Sequence, residues 1–196
     1  GIKLEHALKE FNISPSGKVA VDIGASTGGF TDCLLQRGIN KVFAVDVGYG
    51  QLNWKLQSDT KVVPLDRKNA RDLRPDDIEG LVDLVVIDVS FISLKLVIPN
   101  AISVLKPAGD LVALVKPQFE VGKTEVENKG IIKDPKKHLS VIIEIRSFME
   151  NRGWPLINIT SSPITGQKGN REFLIHCLAK GSFPIINEDY IRNKIK

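Results

Sequence analysis

The stretch Val19-Ala-Val-Asp-Ile-Gly-Ala-Ser-Thr-Gly-Gly-Phe-Thr31 restricts the folding options of the chain more than any other. A short apolar run ends in an acid, passes into a loop of small residues and glycines, and continues into Phe30 to Arg37, which reads as the start of a helix. That order suits a buried parallel strand turning into a helix whose first backbone N–H groups face a ligand. Nucleotide-type cofactors bind at such turns. A dinucleotide fingerprint would want G-x-G-x-x-G, whereas the loop here runs Gly24-Ala25-Ser26-Thr27-Gly28-Gly29, an incomplete pyrophosphate cradle. Asp22, two residues before the first glycine, favours a different ligand. A carboxylate at that place repels a diphosphate and suits the cationic amino group of the methionyl tail of S-adenosylmethionine. The stretch therefore points first to S-adenosylmethionine, with a nicotinamide or flavin nucleotide and a purely structural turn as competing readings.

The rest of the chain alternates in kind. Residues 3 to 12 carry Leu4, Ala7, Leu8 and Phe11 at helical spacing and stop at Ser14-Pro-Ser-Gly17. Lys41 to Asp46 reads as the second strand, and Asp46 falls 22 residues after Gly24, where a ribose-binding carboxylate is expected. The third, Lys61 to Asp66, is interrupted by Pro64, which cannot donate to a ladder; Asn69 and Ala70 follow it. Val82-Asp-Leu-Val-Val-Ile-Asp88 reads as the fourth strand, and its continuous apolar run, Leu84 to Ile87, fits a strand buried on both faces. A helix over 94–106 leads to the fifth strand, Asp110 to Lys116, and the polar, glycine-containing stretch from Pro117 to Pro135 reads as a functional loop. A helix over 136–152 precedes two strands at about 156–162 and 172–178, joined without a helix and so able only to pair antiparallel or sit apart. The expected fold is α/β, a doubly wound, mostly parallel sheet with one reversed strand. Ligands bind at the carboxyl ends of parallel strands. Asp22, Asp46, Asp88 and Lys116 all read as strand ends on that edge, and Glu172 joins them because the reversed strand begins there.

With 196 residues and 42% apolar content, the chain is long enough for one sizeable core. Its net charge of +4 and sequence pI of about 9.0 admit a polyanionic partner without requiring one. The basic residues are grouped near the cofactor edge: Arg67, Lys68, Arg71 and Arg74; then Lys123, Lys129, Lys133, Lys136 and Lys137; then Lys168 and Arg171. Phosphate contacts from such groups supply affinity without reading sequence. Phe91, three residues after Asp88, is either core or a surface on which a base could stack. Cys33 and Cys177 lie in an apolar helix and an apolar strand, as reduced thiols of a cytoplasmic protein do. His6, His138 and His176 show no ligand spacing to them, so no metal is expected. No apolar run approaches the ~18 residues of a membrane span. The opening Gly1-Ile2-Lys3-Leu4, without methionine, reads as that of a processed or shortened chain.

Together these residues resemble the TlyA hemolysin-like methyltransferases and, more distantly, the FtsJ-type ribose methyltransferases. The similarity runs from Gly1-x-Lys3-Leu4 to the strand ending near Leu178. Its markers are the Asp22-x-Gly-Ala-Ser-Thr-Gly-Gly-Phe turn, Asp46-Val-Gly-Tyr-Gly-Gln-Leu, Asn69-Ala-Arg71, Asp88-Val-Ser-Phe-Ile-Ser-Leu, Val115-Lys-Pro-Gln-Phe-Glu-Val-Gly122 and Gly169-Asn-Arg-Glu172. The resemblance implies a Rossmann-like class I methyltransferase domain over residues 1–180, with a seven-strand sheet whose reversed strand lies between the fifth and sixth, and a basic tail over 181–196. It further implies 2′-O-methylation of cytidine in ribosomal RNA, with ribosomal RNA or ribosomal subunits as partner. A Lys-Asp-Lys-Glu tetrad would be Lys3, Asp88, Lys116 and Glu172. Cofactor positions would be Asp22, Gly24, Ala25, Ser26, Thr27, Gly28, Gly29, Asp46, Asn69, Ala70 and Asp88. The family's small N-terminal RNA-binding module is not in this chain, so selection of one cytidine is expected from that module or from ribosome shape.

The chemistry independently wants such residues. A ribose hydroxyl is a very weak acid, so methyl transfer to it needs a base or a hydrogen-bonding orienter in line with the sulfonium carbon. Lys116 is expected in that role, with Asp88 and Glu172 fixing its amine and Lys3 steadying the carboxylates. Asp88-Val-Ser-Phe lacks the tandem prolines of exocyclic amino-group methyltransferases, which favours oxygen as acceptor. Two other classes compete. A hemolysin or membrane-active protein would want a spanning segment or a basic amphipathic helix with aromatic anchors, and neither is present in the sequence. A catalytically silent RNA-binding module would have no need of the tetrad.

Overall fold

In the computed structural model, which describes residues 1–122, 130–179 and 186–195, seven strands form one sheet. They are β1 (Val19–Ile23), β2 (Lys41–Val45), β3 (Val62–Leu65), β4 (Val82–Ile87), β5 (Leu105–Val115), β6 (Leu156–Ser161) and β7 (Phe173–Cys177). Their order is β3-β2-β1-β4-β5-β7-β6, with β1 to β5 parallel and β7 antiparallel to both β5 and β6. The reversed strand thus lies between the fifth and sixth, as expected. The helices are α1 (Ile2–Glu10), α2 (Gly29–Gln36), α3 (Trp54–Gln57), α4 (Leu94–Ser103), α5 (Pro117–Glu120), α6 (Pro135–Glu150) and α7 (Glu188–Lys194).

Strand alternation sorts the core into two layers. Val85 and Ile87 of β4, with Leu111, Ala113 and Val115 of β5, meet the apolar stripes of α4 and α6 on one face. Leu84, Val86, Val112 and Leu114 meet α1 and α2 on the other. Because both faces are covered, these strands show no polar alternation in sequence. Among the described residues, no helix is long and apolar enough to cross a membrane.

Local signals set most boundaries, and packing overrides the rest. Asp134 caps α6 by accepting from the Lys136 N–H, and Pro135 occupies the first helical position, where its missing N–H is harmless. The helix expected over 94–106 stops at Ser103 instead, because the Val82 N–H captures the Val104 carbonyl at 2.9 Å and Leu105 pairs with Val82. The register then shifts before regular pairing resumes at Asp110. Pro64 is accommodated because β3 lies at the edge of the sheet. The stretch expected to be a loop from Pro117 begins with the helical turn α5; its residues 123–129 lie outside those described. At the carboxyl end, α7 docks with Ile191 fully buried and the Tyr190 hydroxyl donating to Asn158 Oδ1 at 2.8 Å. Asp22 does not end its strand: it is one residue inside β1, paired with Ala44 and Val86, and fully buried.

Candidate active site

Asp46, Asp88 and Lys116 each follow the last residue of a parallel strand and emerge at the carboxyl edge of the sheet. Two cavities open there, of about 340 and 370 Å³, and they share Gly24, Ser26, Asp88 and Ser90. The first is also lined by Lys3, Lys116, Ala25, Thr27 and Gly29; the second by Asp46, Asn69, Ala70 and Phe91.

The glycine loop is shaped by close approach. Gly24 has φ +82°, and a Cβ there would sit 2.3 Å from the Asp88 carbonyl oxygen, so only glycine lets the two chains meet. Gly28, at φ +100°, precedes α2 and lines neither cavity; a Cβ on it would fall 2.2 Å from Leu56 Cδ1. Asp46 braces the loop from β2: Oδ2 accepts from the Ser26 N–H and Oδ1 from the Gly48 N–H, both at 2.8 Å. Asn69 Oδ1 accepts from the Arg71 N–H at 3.0 Å. Asp22 lies beneath this loop and lines neither cavity. Its Oδ2 accepts from the Thr31 hydroxyl at 2.7 Å, while Oδ1 is buried with no partner. Burial favours the neutral acid and pushes its pKa up to about 7.

The four tetrad residues form two ion pairs. Lys116 Nζ lies 2.6 Å from Asp88 Oδ1, and Lys3 Nζ donates to Glu172 Oε2 at 2.5 Å. Register accounts for their proximity, since Val115 faces Phe173 across β5 and β7 and so brings Lys116 and Glu172 to neighbouring positions. Glu172 nevertheless takes Lys3, not Lys116, and lies behind the first cavity. Gly166 makes room for it, because a Cβ at Gly166 would fall 1.9 Å from Glu172 Oε1. The second partner of Lys116 is Ser90, whose Oγ accepts at 2.8 Å. Sequence reasoning missed Ser90; the signal available was its place on a loop directly after a strand-end acid. Phe91 beside it is 84% exposed, hence not core, and its ring centroid is 5.0 Å from that of Phe119.

Some of the basic residues already have partners: Lys68 pairs with Asp77 at 2.7 Å, and the Arg67 guanidinium lies 4.6 Å from the Tyr49 ring centroid. Lys123 and Lys129 lie outside the described residues. Cys33 and Cys177 are buried free thiols, and no cluster of His, Cys, Asp and Glu among the described residues could hold a metal ion.

The FtsJ-like methyltransferase family matches this chain over residues 1–178. The YqxC protein of Bacillus subtilis is 51% identical over 177 residues, which is 90% of this chain and 63% of YqxC. The 16S/23S rRNA (cytidine-2'-O)-methyltransferase TlyA of Mycobacterium tuberculosis is 46% identical over 173 residues, 88% of this chain and 65% of that protein. The chain therefore spans just under two thirds of the length of these relatives. A solved structure from Streptococcus thermophilus, named as a hemolysin, superposes with a TM-score of 0.94 at 42% identity, covering 99% of this chain and 70% of the other. Since the family match runs unbroken from the first residue through the reversed strand, the chain belongs to the FtsJ-like methyltransferase family.

Proposed function

We propose that this chain transfers a methyl group from S-adenosylmethionine to the 2′-hydroxyl of a cytidine in ribosomal RNA, acting on ribosomal subunits in the cytoplasm. The observation that carries the reading is the Lys116 amine, held by Asp88 and Ser90 in the first cavity, beside the residues that the two cavities share. The ribose acceptor and the RNA class follow the name of the TlyA relative.

The residues fit the cofactor. Asp22 Oδ1 is a buried acceptor without a partner, which a cationic amino group would satisfy, and Gly24 keeps the loop free of side chain where it meets Asp88. Gly24, Ala25, Ser26, Thr27 and Gly29 of the loop, with Asp46, Asn69, Ala70 and Asp88 around the cavities and Asp22 beneath them, would hold it. When bound, S-adenosylmethionine supplies an electrophilic methyl group on a sulfonium centre.

The remaining chemistry belongs to the protein. An ammonium offers three N–H donors, and an amine offers two with one lone pair. Asp88 and Ser90 occupy two positions on Lys116 Nζ, so one is left for the acceptor hydroxyl in either state. As an amine, Lys116 would take the proton that the hydroxyl loses on methylation, the carbon–sulfur electron pair staying with the departing neutral thioether, and Asp88 would stabilise the resulting ammonium. Lys3 enters the same cavity with its charge offset by Glu172, which lets it contact a neighbouring phosphate without adding net charge. The basic groups along the edge add salt-sensitive phosphate contacts.

Mass-spectrometric mapping of ribosomal RNA after single-turnover incubation tests the reading. Wild type should place methyl groups on a cytidine ribose. Lys116→Ala should lower transfer by about a thousandfold or more while leaving cofactor affinity within about twofold, because the amine acts in the transition state. Methyl groups on base atoms, or near-normal transfer by the variant, would overturn it.

A further inference from the structure

The geometry points to Glu120 as a positioning residue that holds the loop from Asp88 to Ser93 in the shape that places Ser90 on the Lys116 amine. The inference rests on the reading of Lys116 as the group that handles the acceptor hydroxyl. Two segments face each other here. One is the β4–α4 loop, which carries both partners of Lys116, Asp88 at 2.6 Å and Ser90 at 2.8 Å. The other is α5, a single turn with Lys116 immediately before it and Glu120 as its last residue.

Three contacts close these segments into a ring. At one end Lys116 meets Asp88 and Ser90. In the middle the Phe91 and Phe119 rings pack with centroids 5.0 Å apart. At the other end the half-buried Glu120 carboxylate accepts from the Ser93 hydroxyl at 2.6 Å through Oε2 and from the Leu94 backbone N–H at 2.7 Å through Oε1. The Leu94 N–H is the first of α4 and has no partner within the helix, so Glu120 completes that helix from across the gap.

The loop needs such a hold. Phe91 has φ +63°, a left-handed conformation that is strained for an aromatic residue, and 84% of it is exposed, so burial of its ring does not supply the compensation. That backbone turn lies between Ser90 and Ser93, with Ser90 pinned to Lys116 on one side and Ser93 to Glu120 on the other. If Glu120 loses its carboxylate, the loop is free to relax at Phe91, and Ser90 is the first polar side chain to move. Displacements near 1 Å around a reacting group lower rates by about a hundredfold. Glu120 itself lines neither of the two cavities, so it acts on the reaction through its contacts and not by touching the reacting atoms.

The test compares Glu120→Ala, Glu120→Gln, Ser90→Ala and the Glu120→Ala, Ser90→Ala double variant with wild type. One readout is methyl transfer to ribosomal RNA with S-adenosylmethionine varied; the other is the rate at which acetic anhydride acylates Lys116, followed by peptide mass spectrometry. Glu120→Ala should lower kcat by about ten- to a hundredfold with KM for the cofactor within about twofold, a split that general destabilisation would not give. Glu120→Gln, which keeps an acceptor for Leu94, should retain kcat within about fivefold of wild type. Ser90→Ala should change kcat by less than about twofold once Glu120 is already Ala, because the two act through one contact. Lys116 acylation should rise by about threefold or more in Glu120→Ala. Additive effects in the double variant, or unchanged Lys116 acylation, would overturn the inference. Should Glu120→Ala not fold, Ser93→Ala removes one of the two donors and should shift both readouts in the same direction by less. Absence of transfer by wild type would sink the proposed function alone, and the acylation rate would then decide the role of Glu120.

Discussion

Asp110, at the amino-terminal rim of the sheet, accepts hydrogen bonds from His176 Nε2 at 2.9 Å and Lys18 Nζ at 3.0 Å. Asp22, two strands away and under the opposite rim, accepts one neutral hydroxyl on Oδ2 and nothing on Oδ1. Burial favours the neutral acid at both. At Asp110 the bonds from His176 and Lys18 outweigh burial and hold the carboxyl below its ordinary value, whereas at Asp22 burial wins and the pKa rises to about 7. Phe11 further closes the far rim by stacking on His176, centroids 5.4 Å apart. One rim finishes its polar contacts within the protein; the other leaves an acceptor open, and that is the rim with the cavities.

The largest departure should come from Asp22→Asn. In wild type the native state binds this proton more tightly than the unfolded chain, whose carboxyl keeps an ordinary value of 3.8, so stability is highest below that value and declines as pH rises to about 7. Three units correspond to a decline on the order of 4 kcal/mol at most, and the variant should lack it. Denaturant titrations of the ligand-free protein between pH 4 and 8 measure the difference, and equal slopes for the two proteins would refute the assignment.

A smaller effect of opposite sign should follow from Asp110→Asn. Removing a charge that two groups hold should lower stability at neutral pH by about 2 kcal/mol. Because the native value of Asp110 is depressed, its contribution is present above the ordinary carboxylate value and disappears as pH falls through the native one. Wild type and variant should therefore converge in acid and part towards neutral pH with the variant the less stable, the opposite sign to the gap that Asp22→Asn opens over the same range. A constant gap at all pH values would mean that packing, not charge, is lost.

The control is a pair whose carboxylate lies in solvent. Lys41 and Glu79 meet at 2.9 Å on the surface, with the Glu79 side chain 72% exposed. Glu79→Gln should change stability by less than about 0.5 kcal/mol, and a larger loss would show that ion pairs here matter regardless of depth.

Uninterrupted apolar runs bounded by acids or lysine announced the buried parallel strands, and thereby the rim on which Asp46, Asp88 and Lys116 emerge. The absence of a helix between the last two strands announced the reversal that brings Glu172 there. What escaped was decided by contacts between distant residues. Helix α4 stops early because the Val82 N–H, far away in sequence, takes the Val104 carbonyl. Which carboxylate pairs with which lysine depends on side-chain reach across β5 and β7, and spacing along the chain carries none of it. Ser90 and Glu120 were hidden because their roles depend on a left-handed backbone at Phe91, a conformation its residue type does not announce. Asp22 looked like a rim residue because one position of strand length decides whether a side chain is in the cavity or under it.

The placement of β7 also bears on how the chain is made. The inner edge of β5, Leu111 to Val115, is buried only once β7 pairs with it, and β7 begins at Phe173, 58 residues beyond the end of β5. Synthesis at about 5–20 residues per second leaves that edge open for roughly 3–12 seconds while α6 and β6 emerge. During that time β6, which among the described residues pairs with β7 alone, has no partner strand to join. A nascent chain at this stage carries an unpaired apolar strand edge, the feature most prone to pairing with another molecule. Of the seven strands described, the one that leaves the ribosome last is the one that closes it.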